Sequence, residues 1–354
     1  MGSTKTNAGN YFEDFKLGQV LHHATPRTIT EGDVSLYTAL YGGRFALQSA
    51  DSFAIDCGLQ AAPVDDLLVF HVVFGKTVPD ISLNAVANLG YADVRFLAPV
   101  LPGDSVQTSS EVIGLKENSN GKTGVVYVRS TGTNQMGEVV LDYVRWVMVH
   151  KKDKDAPAPK PVVPDLPGVV DPATFALPMD LNFGNFDATL SGSPHFFEDY
   201  EVGEKIDHVD GMTIEEAEHM MATRLYQNTA KVHFNAHMMK DDRMGRRLIY
   251  GGHIISLVRS LSFNGLGNAM LIAGINGGSH TAPTFAGDTI YAWSEVLDKS
   301  DLLGRNDAGA LRIRTVGVKN KNGSDFPDTG EDGKRDPNVV LDLDYWVILP
   351  KSTV

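Results

Sequence analysis

The residues best suited to chemistry lie in the second half of the chain, where a carboxamide and an imidazole stand five positions apart. Asn228 precedes His233 in a segment that reads as an irregular turn. Imidazole titrates near neutral pH and therefore suits proton transfer. A turn that presents both side chains can hold one water molecule between them. We therefore predict that His233 is the base and that Asn228 orients the water.

A glycine pair follows shortly afterwards, at the start of a predicted helix. Gly251 and Gly252 precede apolar residues at helical spacing over 254–263. The first N–H groups of a helix have no partner within it, and the helix dipole is positive at that end. We expect the N–H groups of Gly251 and Gly252 to receive a developing oxyanion. The sequence thus predicts a base and an oxyanion site close together.

The chain that positions these residues repeats itself. The motif at 11–15 reappears at 196–200, and the offset of 185 holds through Tyr41 and Tyr226. The second copy has about 16 extra residues, which fall in a polar run at 320–336 and predict a long exposed hairpin loop. We predict an N-terminal domain, a linker and a C-terminal domain. Their bounds are 11–150, 151–190 and 191–354, and the linker begins with an extended stretch rich in Lys, Asp and Pro.

Each copy shows the same order of elements. An N-terminal strand region leads into a helical stretch, which is followed by an irregular segment, a more apolar helix and four strands. The predicted helices are 31–41, 70–78, 215–226 and 254–263; the predicted strands are 89–97, 105–115, 124–131, 139–149, 269–275, 289–297, 310–319 and 339–349. One helix packed on a curved antiparallel sheet is an α+β arrangement. Two such units side by side would pair their sheets and bury the joined edges.

With these motifs in hand, the sequence resembles the MaoC-like dehydratases and (R)-specific enoyl-CoA hydratases of the hotdog fold. Their hydratase motif, Gly-Asp-x-Asn-Pro-Leu-His, falls on residues 227–233, with its Asp at Asn228 and its His at His233. The His-Gly that begins their helix falls on Tyr250 and Gly251, and their Phe-x-x-Pro-Val-x-x-Gly-Asp signature on 96–104. The resemblance runs from Tyr11 through nearly the whole chain and implies a tandem (double) hotdog.

The first copy lacks the catalytic pair. The repeat offset places Gly43 opposite Asn228 and Gln48 opposite His233. We therefore expect a single active site, in the C-terminal hotdog, with the N-terminal hotdog completing the acyl-binding tunnel. Because Asn replaces the family's Asp, His233 is the only strong base in the motif. The resemblance leaves its acid partner open, with His233 itself, Tyr250 and His253 as the candidates.

The string at 227–235 is similar to one branch of the family, the mesaconyl-CoA hydratases or β-methylmalyl-CoA dehydratases. Their substrates are branched dicarboxylic acyl-CoA thioesters, so a free carboxylate must also be bound. Candidates for this contact are Lys231 and three arginines, Arg246, Arg247 and Arg259. We expect substrate contacts from Lys231, Tyr250, His253 and Arg247. The resemblance implies no metal and no cofactor other than coenzyme A within the substrate.

The overall composition excludes several other classes of protein. The 354 residues include 31 basic and 44 acidic side chains, a net charge of −13, which argues against binding to nucleic acid or an anionic membrane. The single cysteine, Cys57, predicts a reducing cytoplasm. No stretch approaches the roughly 20 apolar residues of a membrane helix, and residues 1–10 do not form an apolar signal region. The sequence leaves open whether the chain forms a homo-oligomer.

Three alternatives to this assignment remain open. A straight-chain (R)-specific enoyl-CoA hydratase would use the same residues. A hotdog acyl-CoA thioesterase would need a carboxylate at or near Asn228. A non-catalytic acyl-CoA-binding module is favoured by the Asp-to-Asn change and by the first half, but the retained His233 and the helix that begins with glycine argue against it.

Overall fold

Ten antiparallel strands form one continuous sheet that runs through both repeats in the computed structural model, which describes residues 5–352. The strands are β1 (Val20–Thr28), β2 (Ala85–Phe96), β3 (Ser105–Glu117), β4 (Thr123–Thr133), β5 (Val139–His150), β6 (Lys205–Thr213), β7 (Leu271–His280), β8 (Thr289–Asp301), β9 (Ala308–Lys319) and β10 (Val339–Pro350). Their order across the sheet is β1-β3-β4-β5-β2-β7-β10-β9-β8-β6. The two halves therefore join at β2 and β7, where Tyr91 is opposite Gly278, and β1 and β6 remain the outer strands.

Each half of the sheet packs against one apolar helix. The helices are α1 (Glu31–Tyr41), α2 (Ala46–Ser49), α3 (Asp51–Asp56), α4 (Asp66–Thr77), α5 (Ala188–Ser191), α6 (Glu216–Leu225), α7 (Lys231–Phe234), α8 (Ala236–Met239), α9 (Gly251–Leu261) and α10 (Phe263–Leu266). Helix α4 is buried over 67–77, and α9 is buried over 252–259. A helix that is apolar on all sides is stable only when it is enclosed. The predicted arrangement of one central helix per curved antiparallel sheet is confirmed.

The two halves meet through residues at equivalent positions of the repeat. The hydroxyl oxygens of Tyr41 and Tyr226 lie 2.7 Å apart. The imidazole Nε2 of His71, on α4, lies 2.9 Å from the Ser256 hydroxyl on α9. Both pairs are 185 positions apart in the sequence. The central helices are therefore joined by buried polar contacts, and residues of the first half come close to the segment of the second half that was predicted to be catalytic.

The central helices begin earlier than the sequence pattern predicted. Helix α4 starts at Asp66 rather than Phe70, because the Asp65 carboxylate accepts a hydrogen bond from the Leu67 N–H, 2.9 Å away, and caps it. Helix α9 starts at Gly251 rather than Ile254. The glycine pair therefore forms the first turn of the helix itself, which places its N–H groups at the positive end of the dipole.

The two long connections are more ordered than expected. The loop between β9 and β10, predicted to be exposed, packs the Phe326 ring 5.5 Å from that of Trp293. The Trp293 indole also donates to the Pro327 carbonyl oxygen over 3.1 Å. In the connection between the halves, Leu181 and Phe183 are buried in a cluster that includes Phe45 and Trp346. No helix within residues 5–352 is long and apolar enough to span a membrane.

Candidate active site

The N-terminus of α9 offers two unfilled hydrogen-bond donors. Its N-cap residue, Tyr250, makes no capping hydrogen bond with its side chain. Within the described chain, neither the Gly251 nor the Gly252 N–H has an acceptor. The next N–H, that of His253, donates to the Tyr250 carbonyl oxygen over 2.9 Å. Two adjacent free donors at the positive end of a helix form a site for a negatively charged oxygen.

The equivalent helix start in the first half carries two acidic residues, one of which caps it. Asp65 and Asp66 occupy the positions of Tyr250 and Gly251. The Asp65 carboxylate accepts from the Leu67 N–H, and that of Asp66 accepts from the Ile272 N–H over 2.8 Å. Of these two helix starts, only that of α9 has neither of its first two N–H groups bonded to an acceptor within residues 5–352.

His233 lies beside this helix start in a form suited to accept a proton. Its ring packs edge-on against Tyr250, with the ring centroids 5.6 Å apart. Its Nδ1 lies 2.9 Å from the Leu248 carbonyl oxygen, which can only accept, so Nδ1 carries the hydrogen and Nε2 keeps its lone pair. Desolvation by the surrounding protein lowers the pKa of His233 to about 4, and the bond to Leu248 partly opposes this. The imidazole is therefore neutral at pH 7.

Asn228 is buried in the turn that precedes α7. Its side-chain oxygen accepts from the Ala230 N–H over 2.9 Å, and its own N–H donates to the Thr223 carbonyl oxygen over 3.1 Å. The carboxamide oxygen is thus used by the turn, as is common for Asn. The carboxamide nitrogen makes no hydrogen bond within the described chain. The water-orienting role predicted for Asn228 therefore becomes that of a donor.

Residues of the first half hold this turn in place. The ammonium group of the buried Lys76, on α4, donates to the side-chain oxygen of Gln227. Gln227 has a φ of 51°, a left-handed conformation that is uncommon for this residue type. A Cβ built on Gly75 would lie 1.9 Å from the Tyr226 carbonyl oxygen, so only glycine permits this approach of α4.

Tyr250 lies at the centre of an aromatic wall supplied by both halves. Besides that of His233, the rings around it are those of His71, Phe74 and Tyr226, at centroid distances of 5.7, 5.8 and 6.0 Å. Its hydroxyl is buried and has no partner within the described chain. The Gly251 backbone also faces the imidazole of His280, because a Cβ there would lie 2.4 Å from Nε2.

His253 contacts the first half and not the turn that contains Asn228. It is buried, and its Nδ1 lies 2.9 Å from the Tyr41 hydroxyl. Burial lowers its pKa to about 3. These contacts give His253 a place in the interface between the halves, and its predicted role at the substrate stays a prediction.

The cations proposed for the free carboxylate are mostly engaged elsewhere. Arg247 forms an ion pair with Glu216, and the Arg246 guanidinium lies 4.0 Å above the Phe285 ring. Arg259 is buried at the far end of α9, where it donates to the Ala269 carbonyl oxygen and stacks 3.7 Å from the Phe45 ring. Lys231 is exposed at the first position of α7 and has no ion pair within the described chain. Its carboxylate role stays a prediction.

Known proteins share both the sequence and the fold. The sequence model of the mesaconyl-CoA hydratase family matches residues 2–162. β-Methylmalyl-CoA dehydratase of Chloroflexus aurantiacus is 64% identical over 349 residues, which cover 99% of both chains. The chain belongs to the mesaconyl-CoA hydratase family. Another relative, the mesaconyl-CoA hydratase of Cereibacter sphaeroides, is 60% identical over 98% of this chain and 100% of its own.

Solved structures confirm the predicted architecture of this mesaconyl-CoA hydratase family member. A MaoC domain protein dehydratase from Chloroflexus aurantiacus superimposes with a TM-score of 0.97 at 64% identity, covering 99% of each chain. A Mycobacterium tuberculosis protein described as a double hotdog superimposes with a TM-score of 0.72 at 25% identity, covering 97% of this chain and 98% of its own. The tandem hotdog and the resemblance to MaoC-like dehydratases are therefore confirmed.

In this member of the mesaconyl-CoA hydratase family, residues of the first half contribute to the candidate site. The sequence did not predict that contribution. His71, Gly75 and Lys76 all lie on α4 and contact the catalytic turn or its aromatic wall. The sequence did contain one indication of this contribution, because His71 occupies the repeat position of Ser256. A polar residue within an otherwise apolar helix indicates a buried partner.

Proposed function

We propose that this protein catalyses the reversible hydration of mesaconyl-CoA to β-methylmalyl-CoA. Relatives at 64% and 60% identity, matched over nearly their whole length, carry the names of the two directions of this reaction. The observation that carries the proposal is the neutral His233, with a free Nε2, beside the unfilled start of α9. A base and an oxyanion site are the two elements that addition of water to an enoyl thioester requires.

The residues support a simple sequence of proton transfers. The thioester carbonyl oxygen accepts from the Gly251 and Gly252 N–H groups, which makes the β-carbon electrophilic. His233 Nε2 takes a proton from a water held by Asn228, and the hydroxide adds to the β-carbon. The resulting enolate is stabilised by the same N–H groups. The imidazolium of His233 then returns the proton to the α-carbon, so one water supplies both added groups and the base is regenerated.

The experiment follows two signals in the same reaction. Purified protein is mixed with mesaconyl-CoA or crotonyl-CoA while the conjugated enoyl absorbance and free thiol are recorded. Loss of absorbance without thiol supports hydration, and faster loss with mesaconyl-CoA supports the dicarboxylic substrate. Thiol release would instead identify a thioesterase, and faster reaction of crotonyl-CoA a straight-chain hydratase. Binding without either signal would contradict an enzymatic role.

Two further expectations belong to this proposal. Coenzyme A enters only as part of the substrate, and no metal or other cofactor takes part. The cytoplasm, expected from the single cysteine, is the compartment in which we place the reaction.

A further inference from the structure

Arg145, on β5 of the first half, is a fully buried cation that lacks a counter-ion. Its side chain is 0% exposed, and it forms no salt bridge within the described chain. One terminal nitrogen donates to the Thr77 hydroxyl over 2.7 Å, and the guanidinium carbon lies 4.2 Å above the Phe74 ring. The other two nitrogens, Nε and Nη1, are buried and have no hydrogen-bond partner among residues 5–352. A buried charge in this state is costly unless a ligand completes it.

Two more polar groups near Arg145 are also incomplete. Within residues 5–352, the buried hydroxyls of Tyr143 and Tyr250 have no hydrogen-bond partner. The titratable groups that act on the charge of Arg145 are the phenols of Tyr143, Tyr250 and Tyr91 and the imidazole of His23. The phenols and the guanidinium can all donate hydrogen bonds. We call Tyr143, Arg145 and Tyr250 the donor cluster; its composition suits an anion.

The donor cluster adjoins the proposed catalytic centre. Tyr250 belongs to both, since it caps α9 and packs against His233. A second connection runs across the sheet, where Arg145 pairs with Tyr91 between β5 and β2. The Tyr91 ring lies 6.3 Å from that of His280, which faces Gly251. These contacts link the start of α9, beside His233, to Arg145 through Tyr250 on one side and through His280 and Tyr91 on the other.

The second half has no such cluster. In the repeat, Tyr345 occupies the position of Arg145, and its hydroxyl is paired with that of Thr315 over 2.9 Å. The unpaired cation thus belongs to the half that lacks the base. The family model matches residues 2–162, the part of the chain that contains Arg145.

We propose that Arg145, assisted by the hydroxyls of Tyr143 and Tyr250, binds the free carboxylate of the dicarboxylic acyl-CoA. The proposal rests on the function proposed above and names the residue that selects the substrate. The carboxylate supplies the missing negative charge and accepts from the free Nε–H and Nη1–H groups. With the thioester at α9 and the carboxylate at Arg145, both ends of the acyl group are fixed. This presents one face of the double bond to His233 and its water.

The test compares two substrates in one variant. Arg145→Met removes the charge while keeping a long side chain. We expect its kcat/KM to fall on the order of 100-fold for mesaconyl-CoA. For the analogue whose free carboxylate is replaced by a carboxamide, the change should stay within about threefold. The ratio of the two values cancels any loss of folded protein, and an unchanged ratio would overturn the proposal.

A matched control and a milder variant complete the design. Arg129 lies on the neighbouring strand β4, but its guanidinium is already paired with Asp142 and with Asp93, the latter at 2.9 Å. Arg129→Met should leave the substrate ratio unchanged; an equal change would show a general charge effect and contradict the proposal. Should Arg145→Met fail to fold, Tyr143→Phe should still lower the ratio by roughly threefold to tenfold, and no change there would overturn the assignment.

The two proposals fail in different ways. If the wild-type protein hydrates neither compound, the proposed function is wrong. If it hydrates mesaconyl-CoA and Arg145→Met keeps the wild-type preference for the carboxylate, only the role of Arg145 is wrong.

Discussion

The backbone of Gly75, on the central helix of the first hotdog, lies against the carbonyl oxygen of Tyr226 in the second. A Cβ at Gly75 would come within 1.9 Å of that oxygen. Tyr226 is followed by Gln227, whose side chain is held by Lys76, and then by Asn228. The first half therefore positions the turn that contains Asn228, the proposed water-binding residue.

Gly75→Ala should impair catalysis from outside the catalytic half. The added methyl group must displace the backbone at Tyr226 and with it Asn228, and shifts of about 1 Å can cost on the order of 100-fold in rate. We expect kcat for hydration to fall by roughly that factor, measured from the loss of enoyl absorbance. Gly43→Ala is the matched control, since its Cβ would meet nothing closer than 3.8 Å. Equal activities of the two variants would contradict the positioning role.

The catalytic pair should be unequal in importance. We expect His233→Ala to lower kcat on the order of 1000-fold, because it removes the only proton carrier assigned to the reaction. Asn228→Ala should lower it roughly tenfold, because one donor to the water is lost. The exposed His237, on α8, provides the control His237→Ala, which should retain full activity. Wild-type rates for His233→Ala would exclude the mechanism.

Activity should persist to unusually low pH for a histidine base. Desolvation lowers the pKa of His233 to about 4, so the neutral, proton-accepting form predominates above that pH and is lost as the pH falls through it. The acid limb of kcat/KM should therefore lie near pH 4 rather than near 6.5. Initial rates are measured directly after a pH jump, before unfolding. An acid limb of the kcat/KM profile between pH 6 and 7 would show that the base is not desolvated.

As the pH falls, the free energy of unfolding should decrease over a higher pH range than the rate of hydration does. Burial lowers the pKa of His71 to about 3 and that of His253 to about 3, whereas an unfolded histidine titrates near 6.5. Below about pH 6.5 the unfolded chain therefore takes up protons that the folded chain does not. Each of these two buried histidines lowers the free energy of unfolding by about 2 kcal/mol at pH 5 and leaves it unchanged above pH 7.5. Urea midpoints at the two pH values measure this difference.

Two variants separate this contribution from the general acid response. His71→Gln should reduce the loss of stability between pH 7.5 and 5, because one buried base has been removed. His22→Gln, at an exposed position, should leave that loss as in the wild type. The prediction is wrong if both variants show the same pH dependence as the wild type.

Much of the fold could be predicted because its signals are local or repeated. The α+β class, the two repeated units and the central helices follow from apolar spacing and the 185-residue offset, and the resemblance to MaoC-like dehydratases implied the hotdog fold. The precise helix starts depended on side chains that cap a backbone N–H, such as Asp65, and the apolar pattern does not contain that information. The order of the strands was decided by pairing between β2 and β7, which lie in different halves.

The sequence by itself determined the candidate catalytic motif, since Asn228, His233, Gly251 and Gly252 lie within one short stretch of chain whose residue types indicate the proposed chemistry. Only the tertiary structure decided which cation is free. The sequence did not show that Arg247 forms an ion pair with Glu216. Nor did it show that Arg145 is buried in a strand, where no carboxylate within residues 5–352 pairs with it. The physical reason is that the effect of a charge depends on its surroundings, and those surroundings come from segments far apart in the chain.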